Sequence, residues 1–141
     1  MIIEKEDSKI EDMIYEIRGV QVMLDSDLGK LYGVETKQLN RQVKRNIQRF
    51  DEDFMFQLTQ PEYENLKCQI GTTSLNNYGG RRTLPYVFTE FGVTTLASVL
   101  HSEIAIDMSK KIVRAFVAMR HYIGNNEYRI SNLEIKPDAI P

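Results

Sequence analysis

The chain has 141 residues, a formal net charge of −2 and 42% hydrophobic residues, which suits one soluble globular domain with a real core. No apolar run is long enough for a membrane-spanning helix, and the acidic opening MIIEKEDSKIEDM is no signal peptide. The single cysteine, Cys68, excludes an internal disulfide and a cysteine-cluster metal site, so a cytoplasmic protein is the default expectation.

The small net charge conceals an asymmetry. Residues 1–25 carry seven acids and three bases, whereas residues 26–50 carry six bases and two acids. Asp51, Glu52 and Asp53 follow at once. Positive charge concentrated on one segment suggests a defined docking face rather than nonspecific attraction to polyanions. The competing reading is a solvated helix face.

Taken in order, residues 1–12 read as a flexible acidic leader. Met13 to Leu24 places β-forming residues on both sides of Arg18-Gly19, which predicts a short hairpin. Asp25 and Ser26 are N-cap types for a helix with Leu28 and Leu31 on its apolar edge. Gly29 is a small residue for a helix crossing, and Gly33 can end that helix with φ > 0. Thr36 is the expected N-cap of a second helix running to Arg49, with Leu39, Val43 and Ile47 on its apolar face. From Thr36 to Arg49 there are five basic residues and no acid. This is a helix-turn-helix pattern, whose second helix can enter the DNA major groove.

Phe54, Phe56 and Leu58 alternate as in a half-buried strand. Thr59 and Glu62 form a Thr-x-x-Glu capping box for a helix from Gln60 to about Gln69, with Tyr63, Leu66 and Ile70 on one side. Cys68 lies off that stripe and has no acid–base partner nearby, so it reads as structural or incidental. Residues 71–82, GTTSLNNYGGRR, form the longest stretch without a structural pattern. Two readings stay open there: a wing whose Arg81 and Arg82 reach phosphates, or a hairpin connection with solvated arginines. RTLPYVF predicts a strand paired with residues 54–58, confined by Pro85 to an edge or a bulge. Thr89 caps a helix with Val93, Leu96, Ala97 and Leu100 on one face. Ser102 starts the longest helix, which ends at Gly124 and carries Ile104, Met108, Ile112, Ala115, Met119 and Ile123 as one stripe. Ile106, Val113 and Val117 make a second face. Core packing is the first reading of this helix and a homodimer contact the second. A loose polar tail follows from 125 to 141, leaving 13–124 as the domain, and the abrupt end is compatible with a fragment of a longer chain.

His101 and His121 lack partners at metal-ligand spacing and read as capping or surface residues. Neither a nucleophile elbow, a dinucleotide fingerprint nor a zinc-protease motif is present. Nothing therefore calls for an enzyme, a cofactor, a metal, a small-molecule substrate or a membrane.

The runs IRGVQVMLDSDLGKLYGVETKQLNRQVKRNIQRFDEDFMFQLT, GGRRTLPYVFTEFGVTTLASVL and SEIAIDMSKKIVRAFVAMR resemble the phage-type ORF-six N-terminal domain of the KilA-N superfamily. The resemblance covers about residues 14–122. It implies an α+β fold with short strands and DNA binding in phage or mobile-element gene control, often beside antirepressor-like regions. Family members often carry a C-terminal extension of coiled-coil character, which this chain lacks up to Pro141.

The combined expectation is a small α+β, helix-turn-helix or winged-helix-like domain with short antiparallel strands and a long C-terminal helix. Its partner is double-stranded DNA, and its role that of a transcriptional regulator or antirepressor, nucleoid-associated in a bacterial or phage-infected cell. Gln38, Asn40, Arg41, Lys44 and Arg45 are the base-contact candidates, because amides suit adenine and arginine suits guanine. Lys37, Arg49, Arg81 and Arg82 are the phosphate-contact candidates. The Asp51–Asp53 run should point away from a duplex. The alternative is a protein-interaction module that sets the basic helix and the C-terminal helix on an acidic partner.

Overall fold

A computed structural model describes residues 10–70 and 83–120. The expected 71–82 loop with Arg81 and Arg82, His121, Ile123 and the tail from Asn125 lie outside the described residues, as does the side chain of Ile70.

Strands β1 (Ile14–Ile17) and β2 (Val20–Leu24) form the expected hairpin. Ile17 pairs with Val20, leaving Arg18 and Gly19 as a two-residue turn. Both have positive φ, 57° and 77°, as a type I′ turn requires. Two helices follow directly, α1 (Asp25–Tyr32) and α2 (Thr36–Arg45), then a short 3₁₀ turn at Ile47–Arg49. Next come β3 (Met55–Gln57), α3 (Gln60–Ile70), β4 (Tyr86–Phe88) and α4 (Glu90–Leu100). A last helix, α5, runs over 103–120.

The four strands form one antiparallel sheet in the order β1-β2-β4-β3. Strand β4 pairs with β3 as expected but is central, not an edge. Pro85 tolerates this because it stands just ahead of the paired residues, so its missing N–H falls outside the ladder. Its carbonyl still accepts from the Leu58 amide at 2.9 Å.

Both faces of the sheet are covered. On one, Ile14, Met23, Met55 and Phe88 join Leu28, Leu39, Val43, Val93, Leu96, Ile112 and Phe116 in the main core. On the other, Val22, Leu24 and Val87 pack with Leu58 and with Leu66 of α3. The period-two alternation of the strands sends successive side chains into these two cores. Ile10 belongs to the main core although it lies ahead of the domain boundary expected at residue 13.

Several termini follow local chemistry. Thr59 Oγ1 accepts from the Glu62 amide at 3.3 Å and Glu62 Oε1 accepts from the Thr59 amide at 2.8 Å, a reciprocal capping box. Thr89 caps α4 by accepting from the Gly92 amide, and Ser102 Oγ accepts from the Ala105 amide at 3.1 Å. His101 ends α4 in the left-handed conformation, φ 58°.

The expected stripe of α5 is met in part: Ile112 and Ala115 are buried and Met108 and Met119 pack against the core, but the arc is rotated away from Ile104. The buried arc runs through Ala105, Ser109, Ile112, Ala115 and Phe116, and Ile104 is 66% exposed. Counting large apolar residues overlooks Ala105 and Ser109. Ser109 is admitted to the core because its hydroxyl bonds the Tyr32 hydroxyl at 2.7 Å. Burial also pushes the Tyr32 phenol up to about 12, so it stays protonated.

Candidate nucleic-acid interface

The turn between α1 and α2 is built as the glycines suggest. Gly33 is left-handed, with φ 75° and ψ 30°. Its amide donates to the Lys30 carbonyl at 3.3 Å, and the Val34 amide donates to the Gly29 carbonyl at 2.9 Å, a Schellman closure. A Cβ at Gly29 would stand 2.9 Å from the Val34 carbonyl oxygen, so the turn folds back tightly over that position.

Two expected caps are corrected. The N-cap residues are Leu24 and Glu35, and neither helix has a side-chain cap bond. Asp25, Ser26 and Thr36 stand one position further in, as helical residues. The second helix is also shorter than expected. It stops at Arg45, because Asn46 turns off at φ −123° and its side chain donates back to the Gln42 carbonyl at 2.9 Å. Ile47 therefore leaves the apolar face and is 51% exposed.

What remains of α2 is sharply two-sided. Leu39 and Val43 are buried in the main core. Lys37, Gln38, Arg41, Lys44 and Arg45 are exposed along one helical stripe, and Gln48 and Arg49 are exposed just beyond it. Among the described residues, none of the five bases Lys37, Arg41, Lys44, Arg45 and Arg49 has an ion-pair partner. Lys37–Arg41 and Arg41–Arg45 are like-charge i,i+4 pairs, each costing roughly 0.2–0.5 kcal/mol. Among the described residues no ion pair offsets that repulsion.

Asn40 is not on this stripe. It is half-buried, and its Nδ2 donates to Asp25 Oδ2 at 2.9 Å. The same oxygen accepts from the Tyr86 amide at 3.3 Å. Asp25 is fully buried and thus ties the start of α1, the middle of α2 and the start of β4 together. Strand β2 ends at Leu24, opposite Val87, and the Asp25 carboxylate receives the next amide of β4 in place of a strand carbonyl. This sets the height of α2 over the sheet. Sequence reasoning missed it, because the bond joins residues 15 positions apart on different helices.

The ORF6N domain model matches residues 12–99, more than half of the chain. The chain belongs to the ORF6N family. Membership makes it a phage-type regulatory domain. No curated protein and no solved structure gives a match.

Within this ORF6N domain, the acidic run after the basic helix lies elsewhere. Glu52 and Asp53 line an open cleft of about 750 Å³ together with Glu16, Glu90, Phe91 and Arg120, and no residue of α2 lines it. In the wall of the cleft, Arg18 donates Nε to Glu62 Oε2 at 2.7 Å and Nη2 to Oε1 at 3.0 Å, and stacks over Phe56 at 4.1 Å. The guanidinium bonds, with the Thr59 amide, hold the Glu62 carboxyl down to about 2. Arg18 is fully engaged in joining the hairpin tip to α3. No helix among the described residues is long and apolar enough to cross a membrane, and no group of three metal-ligating side chains occurs there. His101 is an exposed helix end, and Cys68 is exposed.

Proposed function

We propose that this ORF6N domain binds double-stranded DNA by laying α2 in the major groove, as a transcriptional regulator or antirepressor of phage or mobile-element type. The observation that carries the reading is the stripe of exposed cations on α2 without counter-ions among the described residues. A polyanion supplies those counter-ions and relieves the like-charge repulsion on binding. The helix spans ~15 Å at 1.5 Å per residue, enough to present three turns to a groove about 12 Å wide.

Gln38, Arg41, Lys44 and Arg45 take the base edges, where Arg suits guanine and the Gln amide suits adenine. Lys37 and Arg49 take phosphates at the two ends of the stripe, with Arg81 and Arg82 as further phosphate contacts. Asn40 is left out of the readers, since its amide donor is committed to Asp25. The domain takes in Ile10, which packs in the main core, and runs on toward residue 124, in a cytoplasmic, nucleoid-associated setting, and does no covalent chemistry.

The test is selection of bound duplexes from a random pool, followed by gel shifts across a salt series. With about four to six phosphates neutralised, log K should fall with log salt at about −0.9 per phosphate. A flat salt dependence with no enriched sequence would overturn the reading in favour of a protein partner for the same helix.

A further inference from the structure

Beside the buried arc of α5 runs a second apolar stripe that the described residues cover only in part. Ile106 and Val117 are each 43% exposed, and Val113 lies between them, half-buried. At 100° per residue these three fall within one narrow sector, which adjoins the buried arc at Val113, about 40° from Ser109, and turns away from it through Ile106 and Val117. The same flank of the stripe carries Glu103, Asp107, Lys110 and Arg114, all exposed and, among the described residues, without an ion-pair partner. Their order along the helix is two acids and then two bases. Such an order is self-complementary in one orientation. An antiparallel second copy sets the acidic half of one helix against the basic half of the other, on the same flank. It also brings Ile106 of each copy against Val113 and Val117 of its partner.

We propose that α5 is the interface of a two-fold symmetric homodimer, with Ile106, Val113 and Val117 at its centre and Glu103 and Asp107 facing Lys110 and Arg114 of the second copy. The contact is isologous, as a two-fold requires. One helix stripe falls below the ~1,200 Å² of a standard interface, so the dimer is weak in isolation. The proposal stands independently of the DNA reading.

The test is sedimentation velocity of the full chain without DNA, at concentrations up to about 1 mM, where weak association registers. The sedimentation coefficient should rise with concentration, and less so at high salt. Ile106→Glu with Val117→Glu should remove the rise while thermal unfolding of the dilute protein stays unchanged. A variant with Glu103→Lys and Asp107→Lys should lose self-association. So should one with Lys110→Glu and Arg114→Glu, and a mixture of the two should recover a dimer. A chain that stays monomeric throughout, or a dimer indifferent to the Ile106/Val117 pair, would overturn the proposal. Failure of DNA binding alone would leave it standing.

Discussion

Two regions of the molecule, the hairpin tip against α3 and the outer stripe of α2, treat their charges in opposite ways. Where the hairpin tip meets α3, Arg18, Glu62 and Thr59 satisfy one another, with the Glu62 carboxylate accepting at 2.7 to 3.0 Å. On the side of α1 and α2, five consecutive-turn cations stand without partners among the described residues, two pairs of them repelling each other along the helix. A paired charge contributes to the geometry of its own fold. A row of like charges destabilises the element that carries it until opposite charge is brought against it. The contrast separates charges that build this domain from charges that await a partner.

Charge reversal on α2 should have the greatest effect. Arg41→Glu with Lys44→Glu should weaken duplex binding by at least about 100-fold, since each contact to a base edge is worth roughly 1–3 kcal/mol and reversal adds repulsion. Thermal unfolding should stay level or rise slightly, because both side chains are exposed and Arg41→Glu turns two like-charge i,i+4 pairs into opposite-charge ones. If the variant bound as well as the parent in a gel shift at low salt, the unpaired stripe would not be the docking face.

Asp25 tests where the boundary between the two kinds of residue runs. It is buried and accepts from Asn40 and from the Tyr86 amide. Asp25→Ala should cost about 2–3 kcal/mol in urea unfolding, the range for losing charge-assisted bonds and leaving buried donors unsatisfied. Asn40→Ala should cost about 1 kcal/mol and leave the selected DNA sequence unchanged. A changed sequence preference with unchanged stability would return Asn40 to the readers.

On the paired face the expected effect is smaller and depends on pH. Glu62 has its pKa lowered from 4.5 to about 2, chiefly by the Arg18 bond and then by the Thr59 amide. A depressed carboxylate stabilises the fold above its unfolded value, and the contribution fades as pH falls from 4.5 through about 2. Glu62→Gln should therefore be less stable than the parent at neutral pH, by under about 1 kcal/mol for a solvent-screened pair. The gap should close on acidification toward pH 2. A gap that stayed constant with pH would mean that the Arg18–Glu62 pair contributes nothing as a pair.

Local chemistry was readable in the sequence where cause and effect lie within one turn of chain. The Arg18-Gly19 hairpin, the Gly33 stop, the Thr59/Glu62 box and the Thr89 and Ser102 caps all depend on neighbours within four residues. The failures depend on distant partners. Asp25 looks like a cap until β4 supplies the Tyr86 amide, and Asn40 looks like a base reader until α1 supplies Asp25. The phase of α5 turned on Ser109, a polar residue that enters the core only because Tyr32 meets it there. Pro85 argued for an edge strand, yet the strand that follows it, Tyr86–Phe88, is paired on both sides, with residues 23–24 and 55–57. One miss was local: Asn46 is a poor helix interior residue and a back-bonding side chain, and it could have ended α2 before Ile47.

Two left-handed residues that are not glycine give the smallest and cleanest contrast. Arg18 and His101 have nearly equal φ, 57° and 58°, so the backbone strain at the two sites is alike. That strain is about 1–2 kcal/mol for a residue with a Cβ, against the 0.5–1 kcal/mol of extra chain entropy that glycine loses on folding. His101 is exposed at the end of α4, and its side chain makes no hydrogen bond among the described residues. His101→Gly should therefore raise stability by about 0.5 kcal/mol. Arg18→Gly relieves the same strain but removes the Glu62 bonds, the bond to the Gln57 carbonyl and the stacking over Phe56. It should lower stability instead. Opposite signs from one backbone conformation, read in parallel chemical denaturations, would locate the difference in side-chain partnership. Equal signs would mean that the Arg18 network adds nothing beyond the turn it sits on.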